Sequence, residues 1–238
     1  MKRGFKITRM LALMLLLCGV SYAEFFRIGL QLGAGFPQTE FKESVDKIGL
    51  GAGFTLTGNL HRNVAIGLAL NLHYFGSETR VEYIPAPVTD IGVKVTRTNN
   101  LTSLCLLTQA GVDISRFKPY LECRFGINYF LWTDAEIENL VSEEIEGKAN
   151  FDDIALCCAI GGGLMFNIFE KVVEPKDELK GFTYRIRIDA KALYVYGGKA
   201  GYLKEGAIFV NDEGEITYDI SKSRTDMLTL QLGVMFCL

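Results

Sequence analysis

Arg27-Ile28-Gly29-Leu30-Gln31-Leu32-Gly33-Ala34-Gly35-Phe36 decides the fold. Ile28, Leu30, Leu32, Ala34 and Phe36 occupy every second position, and Arg27, Gly29, Gln31, Gly33 and Gly35 lie between them. Successive side chains of an extended chain leave on opposite faces, so this spacing predicts a β-strand with one apolar face and one face of glycine and polar groups. The pattern returns at once. Ile48, Leu50, Ala52, Phe54 and Leu56 oppose Gly49, Gly51, Gly53, Thr55 and Thr57; Val64, Ile66, Leu68, Leu70 and Leu72 oppose Ala65, Gly67, Ala69, Asn71 and His73.

Five later runs carry the same period with more noise. Leu104, Leu106, Thr108, Ala110 and Val112 alternate with Ser103, Cys105, Leu107, Gln109 and Gly111, where Leu107 breaks the polar side. Leu121, Cys123, Phe125, Ile127 and Tyr129 alternate with Glu122, Arg124, Gly126 and Asn128. Ile154, Leu156, Cys158, Ile160, Leu164 and Phe166 face away from Ala155, Cys157, Ala159, Gly161, Gly163 and Asn167. Tyr184, Ile186, Ile188, Ala190 and Tyr194 oppose Arg185, Arg187, Asp189 and Lys191, and Leu228, Leu230, Leu232, Val234 and Phe236 oppose Thr229, Gln231 and Gly233. Eight segments of roughly ten residues match the length a tilted strand needs to cross a bilayer. The expected fold is all-β, a transmembrane antiparallel up-and-down β-barrel of eight strands.

A soluble barrel also alternates, so the character of each face decides. A water-facing exterior would carry frequent lysine and glutamate, whereas the less apolar face of the first three strands is chiefly Gly, Ala, Thr, Asn and Gln, side chains suited to a cramped interior. The aliphatic face is what hydrocarbon requires, and closure removes unpaired strand edges. Arg27, Glu122, Arg124, Arg185, Arg187, Asp189 and Lys191 then become lumen charges that must pair. Aromatics near strand ends (Phe25, Phe26, Phe36, Tyr74, Tyr120, Tyr129, Phe130, Trp132, Phe182, Tyr184, Tyr194, Tyr196 and Phe236) read as two interfacial girdles.

With the first strand running outward, residues 58–63 and 113–119 are short inner turns and 169–181 a longer one. Residues 37–47, 76–96, 133–153 and 197–224 read as outer loops. Short turns at one end and long loops at the other are the asymmetry of outer-membrane barrels. Within the last loop, residues 207–210 and 216–220 flank Asn211-Asp212-Glu213-Gly214-Glu215 as a hairpin.

The architecture resembles the small OmpA-type and OmpX-type eight-stranded outer-membrane barrels. The most specific local element is the ending Gln231-Leu232-Gly233-Val234-Met235-Phe236-Cys237-Leu238, which is similar to the carboxy-terminal insertion signal of barrel proteins, although that family usually finishes on an aromatic residue. The resemblance implies the bacterial outer membrane as location, its lipid as surroundings and the barrel-assembly machinery as a partner through the last strand.

The amino terminus agrees. Lys2, Arg3, Lys6 and Arg9 precede the apolar run 10–20, and Ser21-Tyr22-Ala23 supplies the small residues of a cleavage site. Residues 1–23 are expected to be a signal peptide and 24–238 the barrel domain. Bulky Leu17 before Cys18 disfavours lipidation. Removing four cations and no acid takes the formal net charge from −3 to −7, which argues against nucleic acid as a partner.

Chemistry-bearing residues are sparse. No catalytic, cofactor-binding or metal site is expected, and the chain is not read as an enzyme. Outer-membrane lipid deacylases resemble this barrel and use a His and a Ser close together, but His73 is followed by Ser77 rather than by a His-x-Ser, and His61 falls in a turn. Gly161-Gly162-Gly163 lacks a P-loop lysine. The mature cysteines, Cys105, Cys123, Cys157, Cys158 and Cys237, read as small strand hydrophobes. By parity Cys123 and Cys158 face lipid, while Cys105, Cys157 and Cys237 face the lumen on non-neighbouring strands, so no disulfide is expected and none lies within reach. The acidic residues within 133–153 are a candidate surface for an extracellular partner. The expected role is structural, in envelope integrity, or surface binding of an adhesion-like kind; the alternatives are an enzyme at the outer rim or a narrow porin-like passive pore.

Overall fold

The computed structural model describes residues 26–84, 91–139, 145–173, 182–210 and 216–238. The segment expected to be a signal peptide lies outside these residues. The elements in chain order are β1 (Phe26–Pro37), α1 (Thr39–Ser44), β2 (Gly49–His61), β3 (Val64–Ile84), β4 (Ile91–Gly111), β5 (Phe117–Asn139), β6 (Ile145–Val173), β7 (Phe182–Gly197), β8 (Lys199–Val210), β9 (Ile216–Arg224) and β10 (Met227–Cys237). No helix among the described residues is long and apolar enough to cross a membrane.

Eight antiparallel strands close into a barrel in the order β1-β2-β3-β4-β5-β6-β7-β10, and β10 pairs back onto β1. The seam runs from Arg27 opposite Cys237 to Pro37 opposite Met227. At its end the Phe26 amide donates to the Leu238 carbonyl at 3.0 Å and the Leu238 amide returns to Phe26 at 2.8 Å. β8 and β9 pair only with each other, a hairpin inserted between β7 and β10. The hairpin read at residues 207–220 is thus present and longer than the sequence suggested.

Every alternation read from the sequence lands on the expected face. Leu32 is 73% exposed and Leu121 69%, against 3% for Gln31 and 0% for Glu122 beside them. None of the outward positions in the eight runs is charged. An exterior that apolar around a polar interior inverts the arrangement of a soluble barrel.

Four expectations are corrected. Residues 76–96 and 133–153, read as loops, are largely strand: β3 and β4 stay paired from Ser77–Thr98 to Ile84–Ile91, and β5 and β6 from Thr133–Phe151 to Glu138–Ile145. The apolar alternation ends there but the hydrogen-bond ladder continues, because backbone pairing does not depend on which face a side chain takes. The register shift between Tyr74 and Ser77 holds Gly76 at φ +87°, a left-handed bulge that favours glycine. Residues 37–47 are not a simple outer loop either. They contain α1, whose Phe41 (2% exposed) turns inward with Val45.

The third correction is Tyr120, assigned to a girdle but buried in the lumen: Leu121 faces out, so its neighbour must face in. Phe26, Tyr196 and Phe236 do stand exposed near strand ends, and Tyr74 is exposed beside the β3 register shift. The fourth concerns the thiols. Cys105 and Cys157 are not out of reach of each other but meet at Sγ–Sγ 3.6 Å.

Candidate functional site

The enclosed lumen gathers most of the chain's buried polar chemistry, and the strand registers set what meets what. Toward the short-turn end, Glu122 of β5 is fully buried. Its carboxylate accepts from Arg124 Nε at 2.5 Å and from Gln109 Nε2 on β4 at 2.7 Å. Lys191 of β7 lies 3.9 Å from Glu122 and 3.6 Å from Asp189. Asp189 in turn accepts the Tyr120 hydroxyl at 2.6 Å. Two carboxylates face two cations, so the cluster is neutral, which buried charge requires. Toward the same rim Arg187 donates to Asn167 and approaches Asp113 at 3.7 Å, and Asp113 also takes Lys118 at 3.2 Å.

Amides extend the cluster across the barrel. Gln231 of β10 donates to Asn71 of β3 at 2.8 Å and accepts from Arg124 at 3.5 Å. Gln31 donates to Thr55 at 3.0 Å, and Ser103 to Asn128 at 2.7 Å. Of the lumen charges expected from the sequence, Glu122, Arg124, Asp189 and Lys191 are brought together. Arg27 is buried apart from them, with Nη1 3.8 Å from Met165 Sδ. Arg185 sits at the rim, half-exposed, donating to Glu170 at 2.9 Å. Sequence reading missed Tyr120, which the parity of Leu121 would have turned inward; it set the amides on the inner face without their pairing.

Toward the long-hairpin end the lumen becomes apolar. Leu101, Cys105, Ala155, Cys157, Val195 and Met227 form one buried cluster with Phe75, Phe41 and Val45. Phe41 packs edge-on to Phe75, ring centroids 5.4 Å apart, so α1 covers this end. Asp226 anchors the cover: its carboxylate accepts the Thr39 hydroxyl at 3.3 Å and the Gly197 amide at 3.0 Å, and its carbonyl accepts the Gln38 amide at 2.9 Å. Between the two zones lies a cavity of about 20 Å³ bordered by His73, Cys105, Arg124, Cys157 and Met227.

His73 is buried in the lumen beside Phe75, whereas Ser77 lies on the exposed continuation of β3 with its carbonyl taking Lys47 at 3.1 Å. The two are not brought together. Among the described residues no three His, Cys, Asp or Glu side chains are placed to share a metal ion.

Fold and site together define a closed eight-stranded antiparallel barrel with an apolar exterior and a filled, internally paired lumen. No protein-family model and no curated protein matches the chain. Among solved structures, the chain is similar to Neisserial surface protein A (12% identity, TM-score 0.45, covering 90% of this chain and 96% of that one). It is also similar to Ail of Yersinia pestis (12%, 0.40, 90% and 97%) and to the outer membrane protease OmpT of Escherichia coli (8%, 0.36, 92% and 99%). These are likenesses of overall shape between distant sequences, and no role is taken from them.

Proposed function

We propose that the chain is an integral outer-membrane β-barrel with a non-enzymatic role, contributing to envelope integrity and presenting its long hairpins as a binding surface outside the cell. The observation that carries this reading is the uncharged outer face, with leucines such as Leu32, Leu106 and Leu156 at 65–73% exposure while Arg27, Glu122, Arg124, Asp189 and Lys191 are buried inside the barrel. In water such a surface would be a large aggregation-prone patch; in hydrocarbon it is the only permitted one. The paired lumen and the cap of Phe41 and Phe75 speak against a passive pore, and the separation of His73 from Ser77 removes the motive for an enzyme at the rim. The extended β3–β4 and β5–β6 strands and the β8–β9 hairpin offer a surface for an extracellular partner, with Asp134, Glu136 and Glu138 on β5 and Glu146, Asp152 and Asp153 on β6.

The test is fractionation and gel mobility. The protein should sediment with outer membranes, float with phospholipid vesicles after refolding, and migrate differently in detergent gels before and after boiling, since a closed strand ladder resists detergent until heated. Recovery as a soluble, non-heat-modifiable protein would refute the membrane reading. Protease added to intact cells should cut within the hairpins alone.

A further inference from the structure

Cys105 and Cys157 are on β4 and β6, with β5 between them, and both are in register with the same residue, Gly126. Any side chain there would separate them. A Cβ on Gly126 would come within 2.9 Å of Cys105 Sγ and 2.6 Å of Cys105 Cα. Without it, the two thiols lean over the glycine until their sulfurs are 3.6 Å apart, both buried.

That arrangement is poor for a disulfide. The two backbones are separated by two strand spacings of about 4.8 Å each, beyond the limit of about 7 Å between Cα atoms for bridging without backbone movement. It suits a shared ion instead. With metal–thiolate bonds of about 2.3 Å, sulfurs at this separation subtend about 100° at a central ion, and small side-chain rotations would widen that angle.

We infer that Cys105 and Cys157, held over Gly126, form a two-thiolate site for one soft monovalent cation of the Cu(I) or Ag(I) type. Three further features select that class. No third His, Cys, Asp or Glu among the described residues comes close enough to complete the four-coordinate shell that Zn(II) takes. Met227, a thioether, borders the same small cavity, and thiolate with thioether donors favours Cu(I). The cavity of about 20 Å³ has room for one small ion without its hydration shell, which excludes hard hydrated cations. On loading, each thiol gives its proton to water as its sulfur–metal bond forms. The resulting bis-thiolate complex carries one negative charge, and the Arg124 guanidinium on the cavity wall, which also pairs with Glu122, is the cation nearest in the lining.

The experiment uses the refolded full barrel in detergent, titrated with Cu(I) held by a chromogenic chelator under reducing, oxygen-free conditions, and read by chelator competition and native mass spectrometry. The wild type should retain one equivalent. Cys105→Ser and Cys157→Ser should each lose it, while Cys123→Ser/Cys158→Ser, changed only on the outer face, should keep it. The heat-dependent gel shift establishes folding of each variant independently of metal. Equal Cu(I) retention by wild type and the Cys105→Ser/Cys157→Ser double variant would overturn the inference. So would preferential retention of Zn(II), or a Cys105–Cys157 disulfide in the unreduced, metal-free protein.

Discussion

Replacing Glu122 by Gln removes the charge at the centre of the lumen cluster while keeping the side chain's shape. The wild-type carboxylate accepts two hydrogen bonds, at 2.5 Å from Arg124 and 2.7 Å from Gln109, and balances Lys191 at 3.9 Å. Hydrogen bonds to charged groups contribute about 1.5–3 kcal/mol each, and deleting one member of a buried ion pair costs about 3–5 kcal/mol because its partner stays buried and uncompensated. Arg124 and Lys191 would then face Asp189 alone. Since Gln can still accept one bond, a loss of about 3 kcal/mol is expected for Glu122→Gln. Adding Lys191→Met restores neutrality, so the double variant should recover part of the loss, with a coupling of about 1–3 kcal/mol. Urea unfolding in phospholipid vesicles, followed by gel mobility and by the fluorescence of Trp132, the chain's one tryptophan, measures both quantities. A loss below about 1 kcal/mol, or strict additivity, would mean that water rather than protein solvates this carboxylate. The closed-lumen reading would fall with it.

Leu68 is 47% exposed at the middle of the apolar run Val64–Leu72 of β3, and Leu68→Arg should cost about 2–4 kcal/mol in vesicles if that face meets hydrocarbon; a variant as stable as wild type would invert the assignment of faces. Gly67 next to it faces inward, where an added Cβ would press on Thr57 Cα at 2.7 Å, so Gly67→Val should prevent closure and abolish the gel shift. Asp226→Ala removes the acceptor shared by Thr39 and Gly197; it should cost about 1–3 kcal/mol and expose α1 to trypsin at Lys42 or Lys47, and resistance equal to wild type would show the cap is held by Phe41 packing alone.

Facing was legible from sequence because the side-chain period of a strand is two, so a single correct residue fixes the whole strand. Gln31, Asn71, Gln109 and Gln231 all point inward as their parity required. Strand length was not legible, for a related reason. Apolar alternation reports contact with hydrocarbon, and it stops where the membrane stops, whereas pairing of β3 with β4 runs on to Ile84–Ile91. Tyr120 was misplaced by trusting its position near a strand end over the parity of Leu121. The Cys105–Cys157 contact was out of reach for a different reason: it depends on the β4–β5 and β5–β6 registers, which are set by the geometry of the turns and leave no trace in either cysteine's own strand.

Those registers also account for the glycines. An eight-stranded barrel has an interior just wide enough to be filled by side chains, so each large inward group needs a small one beside it. Tyr120 lies over Gly163, His73 over Gly51 and Gln231 over Gly33, with an added Cβ at the glycine 2.6 Å from Tyr120 Cζ, 2.8 Å from His73 Cδ2 and 2.9 Å from Gln231 Cγ. The glycine face of the opening sequence is therefore the complement of the polar groups that fill the lumen. Their mutual fit, more than the ion pairs alone, fills the lumen: neutralising Glu122 loosens the network but leaves Tyr120, His73 and Gln231 seated against their glycines. A conducting path would require large inward side chains to be shortened at several levels at once.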